Sequence, residues 1–173
     1  MSGLREMSEQ EIDAACRLIA EAMNIEEAKW AKKTMLFHFG CKAHGFDDGR
    51  HYFTYSVDER ILGLVGLHHY EWGPEENVWL AWFAVHPEHQ RKGIGRSLLD
   101  SIEKRAVTEG YTKLFVETYD HPDFAKAQQF YQSCGFGKVG QIDDYLPGSQ
   151  SMVVYLKNLA SSAPSISSGG GIG

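Results

Sequence analysis

The feature that most restricts the fold is the run from Trp79 to Val85 (WLAWFAV), which leads directly into His86-Pro-Glu-His-Gln90-Arg-Lys-Gly93-Ile-Gly95-Arg-Ser97. An unbroken apolar stretch of this length, rich in aromatics, reads as a buried strand. A basic turn punctuated by two glycines follows, and a helical pattern opens at those glycines. Strand, glycine turn and helix start together make an anion cradle. Backbone N–H groups point outward there, and the helix dipole favours negative charge. A ligand carrying phosphate is the expectation.

The remaining pattern builds around that unit. Ser8 and Glu11 form a capping box, after which Ile12, Ala15, Cys16, Ile19 and Met23 share one helical face. A second helix is expected from about Glu26 to about His38, followed by a loop from Gly40 to Arg50. Strands are expected at His51–Val57 and Ile61–Trp72, joined by the Asp58–Arg60 turn, with a further turn at Gly73–Asn77. Ile94, Leu98, Leu99, Ile102 and Ala106 form the apolar stripe of the helix after the glycine turn, which ends near Gly110. Lys113–Tyr119 reads as a strand and Pro122 to about Cys134 as a helix stopped by Gly135. Gly137–Ile142 and Ser151–Leu159 read as closing strands around an Asp143–Gly148 loop. This order predicts an α/β (layered α+β) fold: a mixed, mostly antiparallel twisted sheet with one central βαβ unit and helices on both faces.

The 173 residues, 43% of them hydrophobic, are enough for one domain with a real core, placed at residues 1–159. Ala160–Gly173 is Ser/Gly-rich and reads as a flexible tail. No apolar run reaches bilayer-spanning length, so no membrane partner is expected. The net charge of −6 argues against nucleic acid. Cys16, Cys41 and Cys134 are odd in number and widely spaced, which fits a reducing, cytoplasmic setting. His68, His69, His86 and His89 show no spacing that would make them converge, so no metal site is expected. Trp30, Trp79 and Trp82 read as core residues, and Trp72 as core or acceptor-pocket lining.

Three readings of the glycine turn compete with an ordinary strained βα connection. The P-loop string is absent. A Rossmann fingerprint has its first two glycines in Gly93 and Gly95, but Leu98 occupies the third position; Glu117 imitates the ribose-binding acid and keeps a nucleotide-dependent oxidoreductase open. The third reading is Gln90-Arg91-Lys92-Gly93-Ile94-Gly95, which resembles the pyrophosphate loop Q/R-x-x-G-x-G/A of the GNAT N-acetyltransferase superfamily. The preceding Phe83-Ala84-Val85-His86-Pro87 resembles that family's central strand. Tyr131-Gln-Ser-Cys-Gly135-Phe136 resembles its Y-x-x-x-G-F signature. The resemblance covers roughly Val57 to Leu159.

The resemblance implies acetyl-coenzyme A as acyl donor and transfer of the acetyl group to a primary amine by direct attack, the acceptor being a small molecule or a peptide N-terminus. It implies that main-chain groups of Phe83, Ala84 and Val85 meet the pantetheine arm, with the Val85 N–H toward the thioester carbonyl. That requires the central strand to bulge or splay from Lys113–Tyr119. The N–H groups from Arg91 to Arg96 would hold the pyrophosphate, with Gln90, Arg91, Lys92, Gly93, Ile94, Gly95, Arg96 and Ser97 forming the binding segment. Tyr131 is implied as the acid for the departing thiolate, against the alternative of a packed core tyrosine. Glu117, a carboxylate in an otherwise apolar strand, is the candidate base, against a structural ion pair; His68, His69, Glu71, Glu75 and Glu76 are alternatives. Relatives place an asparagine where Phe124 stands, leaving His121 or Asp123 to replace that contact. A catalytically inactive coenzyme A-binding regulatory module is the runner-up, and a homodimer is admitted by analogy.

Overall fold

The computed structural model describes residues 4–159. The predicted Ser/Gly-rich tail lies outside them. Eight strands form one sheet: β1 (Arg5–Glu6), β2 (Arg50–Val57), β3 (Arg60–His68), β4 (Asn77–Leu80), β5 (Ala84–Val85), β6 (Lys113–Tyr119), β7 (Gly137–Leu146) and β8 (Gln150–Asn158). Its order is β1-β2-β3-β4-β6-β8-β7, with β5 paired to β3. The β4–β6 pair is parallel and the other pairs are antiparallel. Four helices accompany it: α1 (Ile12–Ala22), α2 (Ile25–Ala43), α3 (Ile94–Thr108) and α4 (Ala125–Ser133). None is long and apolar enough to cross a membrane.

Strand alternation divides the core between two faces of the sheet. Tyr52 and Leu64 join Ile12, Ala15, Ile19, Ala31 and Met35 of α1 and α2. Their neighbours Phe53 and Val65 join Leu98, Leu99, Ile102 and Ala106 of α3 and Tyr131 of α4. β3 is buried at every position from Ile61 to Leu67 because helices cover both of its faces.

Several boundaries follow sequence chemistry. The Ser8 amide donates to Glu11 Oε2 at 2.9 Å, the half of a capping box that Glu11 supplies, while the Ser8 hydroxyl donates to the same oxygen at 3.1 Å and the Glu11 amide donates to Ser8 O at 3.0 Å. Asn24 Oδ1 caps α2 by accepting from the Glu27 amide at 2.8 Å. At the end of α3, Gly110 has φ +96°, and the amides of Gly110 and Tyr111 donate to Val107 and Ala106. This is the Schellman pattern expected of a glycine just past a helix.

Other expectations fail for identifiable reasons. α2 runs on through Gly40 to Ala43 because buried His38 and Phe39 keep its last turns on the core. β3 stops at His68, four residues short of Trp72. β7 absorbs the predicted Asp143–Gly148 loop as far as Leu146, through a register irregularity between Ile142 and Leu146. Met23 and Trp30 point outward, and Trp72 is 85% exposed, so none of the three is core.

Candidate active site

The predicted central strand is two strands. Leu67 lies opposite Leu80, while Leu64 lies opposite Ala84, so three steps along β3 face four on the other chain segment. One residue is extra, and the surplus is a β-bulge at Ala81–Phe83. A bulge bends its strand and ends regular pairing. On the opposite edge, β4 pairs with β6 from Asn77↔Lys113 to Trp79↔Phe115 and no further. β6 continues to Tyr119, so beyond Phe115 a wedge opens between it and β5.

The edges of that wedge carry free main-chain groups. His86 donates its amide to Leu62 O on β3. Alternation along a strand then turns the Val85 amide away from β3 and toward the wedge. The Val85 carbonyl already accepts from Gln90 Nε2 at 3.0 Å. Gln90 therefore braces the strand end against the turn.

The turn itself is an amide cradle. Arg91 (φ +58°) and Gly93 (φ +85°) are left-handed, a backbone arrangement that makes successive N–H groups converge. Among the described residues, no amide from Arg91 to Arg96 has a hydrogen-bond partner; the first engaged is Ser97, which donates to Gly93 O at 3.0 Å. Ile94, Gly95 and Arg96 supply the unpaired first-turn amides of α3. The Arg91 and Lys92 side chains are exposed beside the cradle. Arg96 is not free, since its guanidinium donates to Ser133 O at 3.2 Å. Gly95 packs against α4: a Cβ there would sit 3.6 Å from Phe130 and from Val85.

Tyr131 reaches the wedge from α4. The amides of Gly135 (φ +90°) and Phe136 donate to Gln132 and Tyr131, so the Tyr131…Gly135-Phe136 signature is locally a Schellman cap. Its hydrophobic contact is the Tyr131–Phe136 ring pair at 5.7 Å. The cap, with Phe130 at 5.7 Å and Phe83 at 6.3 Å, holds the Tyr131 ring. The side chain is 6% exposed and lines the cavity, and its hydroxyl has no hydrogen-bond partner among the described residues. Burial, then the neighbouring Cys134, pushes its pKa well above the ordinary tyrosine range. Tyr131 thus stays protonated across the physiological range.

The wedge and the adjoining cavity of about 230 Å³ bring Tyr131 and Glu117 into one lining with Phe83, Trp79 and Tyr119. Glu117 is reached by water yet sits in a concave wall, and the loss of hydration raises its pKa above the usual carboxylate value. The sequence reading missed Glu27, on the first turn of α2, in the same lining. Its pKa is also raised, first by desolvation and then by the charge of Glu117. No local pattern marks Glu27, because it meets Glu117 only through the packing of α2 over the sheet.

Of the alternative bases, His68 lines the cavity, but burial and then Arg50 push its pKa down to about 4. Glu76 faces Lys113 at 3.3 Å. Phe124 lines the cavity and meets Tyr119 edge to face at 5.3 Å; His121 and Asp123 pair with each other at 3.4 Å instead of entering the lining. Tyr70 rather than Trp72 forms the pocket wall. His86, Glu88 and His89 do converge, against expectation, with ligand atoms within 4.8 Å of one another. His86 Nε2 lies 2.6 Å from the Arg60 guanidinium and 2.9 Å from Glu21, and the guanidinium disfavours a cation there.

Comparison with known proteins gives the same answer as the geometry. The model of the acetyltransferase (GNAT) family matches residues 14–136. The chain belongs to the GNAT acetyltransferase family. Its fold is shared with a GNAT-family protein from Desulfovibrio desulfuricans at a TM-score of 0.81 and 22% identity, over 91% of this chain and 99% of that one. An aminoglycoside 6'-N-acetyltransferase complexed with coenzyme A superposes at 0.72, with 12% identity, over 94% and 99%. Mycothiol acetyltransferase of Corynebacterium efficiens is 34% identical over 94 residues, 54% of this chain; the match spans 25% of that relative. Acetyl-coenzyme A is the family's acyl donor, and two features fit it here: unpaired amides from Arg91 to Arg96 for a diphosphate, and an opened β5 edge for an amide-bearing arm. The Rossmann reading falls with the topology, since the sheet contains one parallel pair.

Proposed function

We propose that this protein is an acetyl-coenzyme A-dependent N-acetyltransferase acting on a primary amine, of a small molecule or a peptide N-terminus, by direct attack. One observation carries the reading. A bulge opens the β5 edge next to unpaired turn amides, and the same opening is lined by a buried tyrosine, Tyr131, and a partly dehydrated carboxyl group, Glu117.

The amine arrives as an ammonium, with a reference pKa near 10.4 for a lysine-like group. Glu117, in its carboxylate form and with its basicity raised by desolvation, takes its proton directly or through a water. The bound donor supplies an activated thioester carbonyl. The Val85 N–H, preorganised on the wedge edge, stabilises negative charge growing on the carbonyl oxygen. As the N–C bond forms and the C–S bond breaks, Tyr131 gives its proton to the departing sulfur, and the second proton that the nitrogen sheds on becoming an amide passes through water to restore Tyr131. Phe83 and Phe130, stacked at 5.6 Å, wall the reacting groups from water. Main-chain amides from Arg91 to Arg96 hold the diphosphate, and Arg91 and Lys92 add charge.

The test is a panel of small amines, amino acids and peptides with free N-termini, followed by release of free thiol from acetyl-coenzyme A. Amine-dependent thiol release is expected. Tight coenzyme A binding with no turnover across the panel would replace this reading with a binding module that lacks the chemistry.

A further inference from the structure

We infer that the acceptor is a dication: an amine whose reacting nitrogen lies at Glu117 and whose second ammonium or guanidinium group is held by Glu27. The inference rests on the acetyltransferase reading and names its substrate class.

The charge around the cavity points this way. Glu27 comes from α2 and Glu117 from β6, and both line the same opening. Neither has a cation within ion-pairing distance among the described residues. The one arginine of the lining, Arg50, is engaged elsewhere, its Nη1 bonding Asp48 Oδ2 at 2.9 Å, and it makes no ion pair with either acid. Asp48 is in turn held by His38 at 2.7 Å, so the buried trio is closed on itself. His68 is kept neutral by burial. Tyr70 and Tyr119 face the acids from the β3 exit and from β6, and both stay protonated, Tyr119 with its pKa pushed up to about 12 by desolvation and then by Glu117 and Glu27. The wall thus bears two carboxyl groups with no ion-pair partner among the described residues. A second, independent mark of a ligand is Thr118 in the same lining, 96% buried, whose hydroxyl has no hydrogen-bond partner among the described residues.

A monoamine would answer one carboxylate and leave the other desolvated. A free α-amino acid would add a third carboxyl group. A dication answers both acids, and the aromatic rings of Tyr70, Trp79 and Tyr119 suit the stem between its charges and the cations themselves. Two carboxylates that resist ionising together are also relieved by such a ligand, because each then gains a partner.

The experiment is calorimetric binding to the protein saturated with coenzyme A, using 1,4-diaminobutane and 1,6-diaminohexane beside butylamine, hexylamine and 4-aminobutanoate. At least one diamine is expected to bind on the order of tenfold more tightly than its monoamine, with 4-aminobutanoate weakest. In Glu27→Gln, whose fold is checked by circular dichroism, the diamine-to-monoamine ratio falls toward one. Equal binding of diamines and monoamines in the wild type, or a preference that survives Glu27→Gln, overturns the inference. Thiol release with monoamines but no diamine preference removes this substrate class and leaves the acetyltransferase reading standing; absence of thiol release with every amine removes that reading.

Discussion

Tyr131→Phe separates a catalytic tyrosine from a packing one. The substitution removes a single hydroxyl and keeps the ring that touches Phe83, Phe130 and Phe136. That hydroxyl has no hydrogen-bond partner among the described residues, so no bond worth about 1 kcal/mol is lost on folding. The residue lines the cavity, and its hydroxyl is not one of the fully buried oxygens left without a partner, so no desolvation cost is relieved either. Folding should therefore be close to neutral, with Tm shifted by no more than ~2–4 °C, the change that about 1 kcal/mol makes in a chain of this size. Catalysis should suffer. Loss of a positioned general acid costs roughly 10²–10⁴-fold, and the low end applies here because a thiolate leaves without much help. The expectation is a kcat reduced about 10²-fold with Tm preserved, read by thiol release and by thermal unfolding of the same sample. The wild-type rate should also show no loss from Tyr131 ionisation at moderately alkaline pH, because burial holds its proton. A kcat within about twofold of wild type would refute the assignment. So would a fall in Tm with little change in rate, which is the behaviour of a core tyrosine.

Other perturbations probe the rest of the site. Glu117 works as a base only when deprotonated, and its pKa is raised, so kcat/KM should fall as pH drops through a value above the ordinary carboxylate range; Glu117→Gln should lower the plateau by roughly 10²-fold or more and flatten that acidic limb in a pH–rate profile. Raised carboxyl pKa values mean the folded state binds protons more readily than the unfolded one, so Glu27 and Glu117 oppose folding as pH rises through those values, and Glu27→Gln should raise Tm at neutral pH but not at low pH. Gly66 supports the bulge: Ala81 donates to its carbonyl, and an added Cβ would lie 2.8 Å from Tyr52, 2.9 Å from the His51 carbonyl and 3.0 Å from Ala81. Gly66→Ala should therefore destabilise by about 1–3 kcal/mol in denaturant titrations and weaken coenzyme A binding. Gly93→Val places a β-branched residue at φ +85°, which strains the backbone even though a Cβ there meets nothing within 4 Å, and should both lower Tm in thermal unfolding and weaken coenzyme A binding in a titration, whereas Gly93→Ala should show both effects less.

The parts of the site that were legible in the chain are those built by local chemistry. Two glycines at the start of a helical stripe mark a turn with unpaired amides, because left-handed backbone and first-turn N–H groups are consequences of neighbouring residues alone. Tyr131 and Gly135-Phe136 were legible for the same reason: a helix end with its tyrosine at one fixed position of a Schellman cap lies within six residues. Glu117 stood out as a charge in an apolar strand.

Contacts between distant segments decided the rest. The bulge at Ala81–Phe83 slips the phase of a strand by one residue, but WLAWFAV is apolar throughout, so it has no alternation in which a slip could show. Arg96 looked available for phosphate until α4 brought the Ser133 carbonyl to it. Glu27 looked like any surface acid on a first helical turn. It became part of the cavity wall because α2 crosses the sheet where β5 and β6 part, and a carboxylate's field and hydration depend on what stands opposite in space, not on its neighbours along the chain.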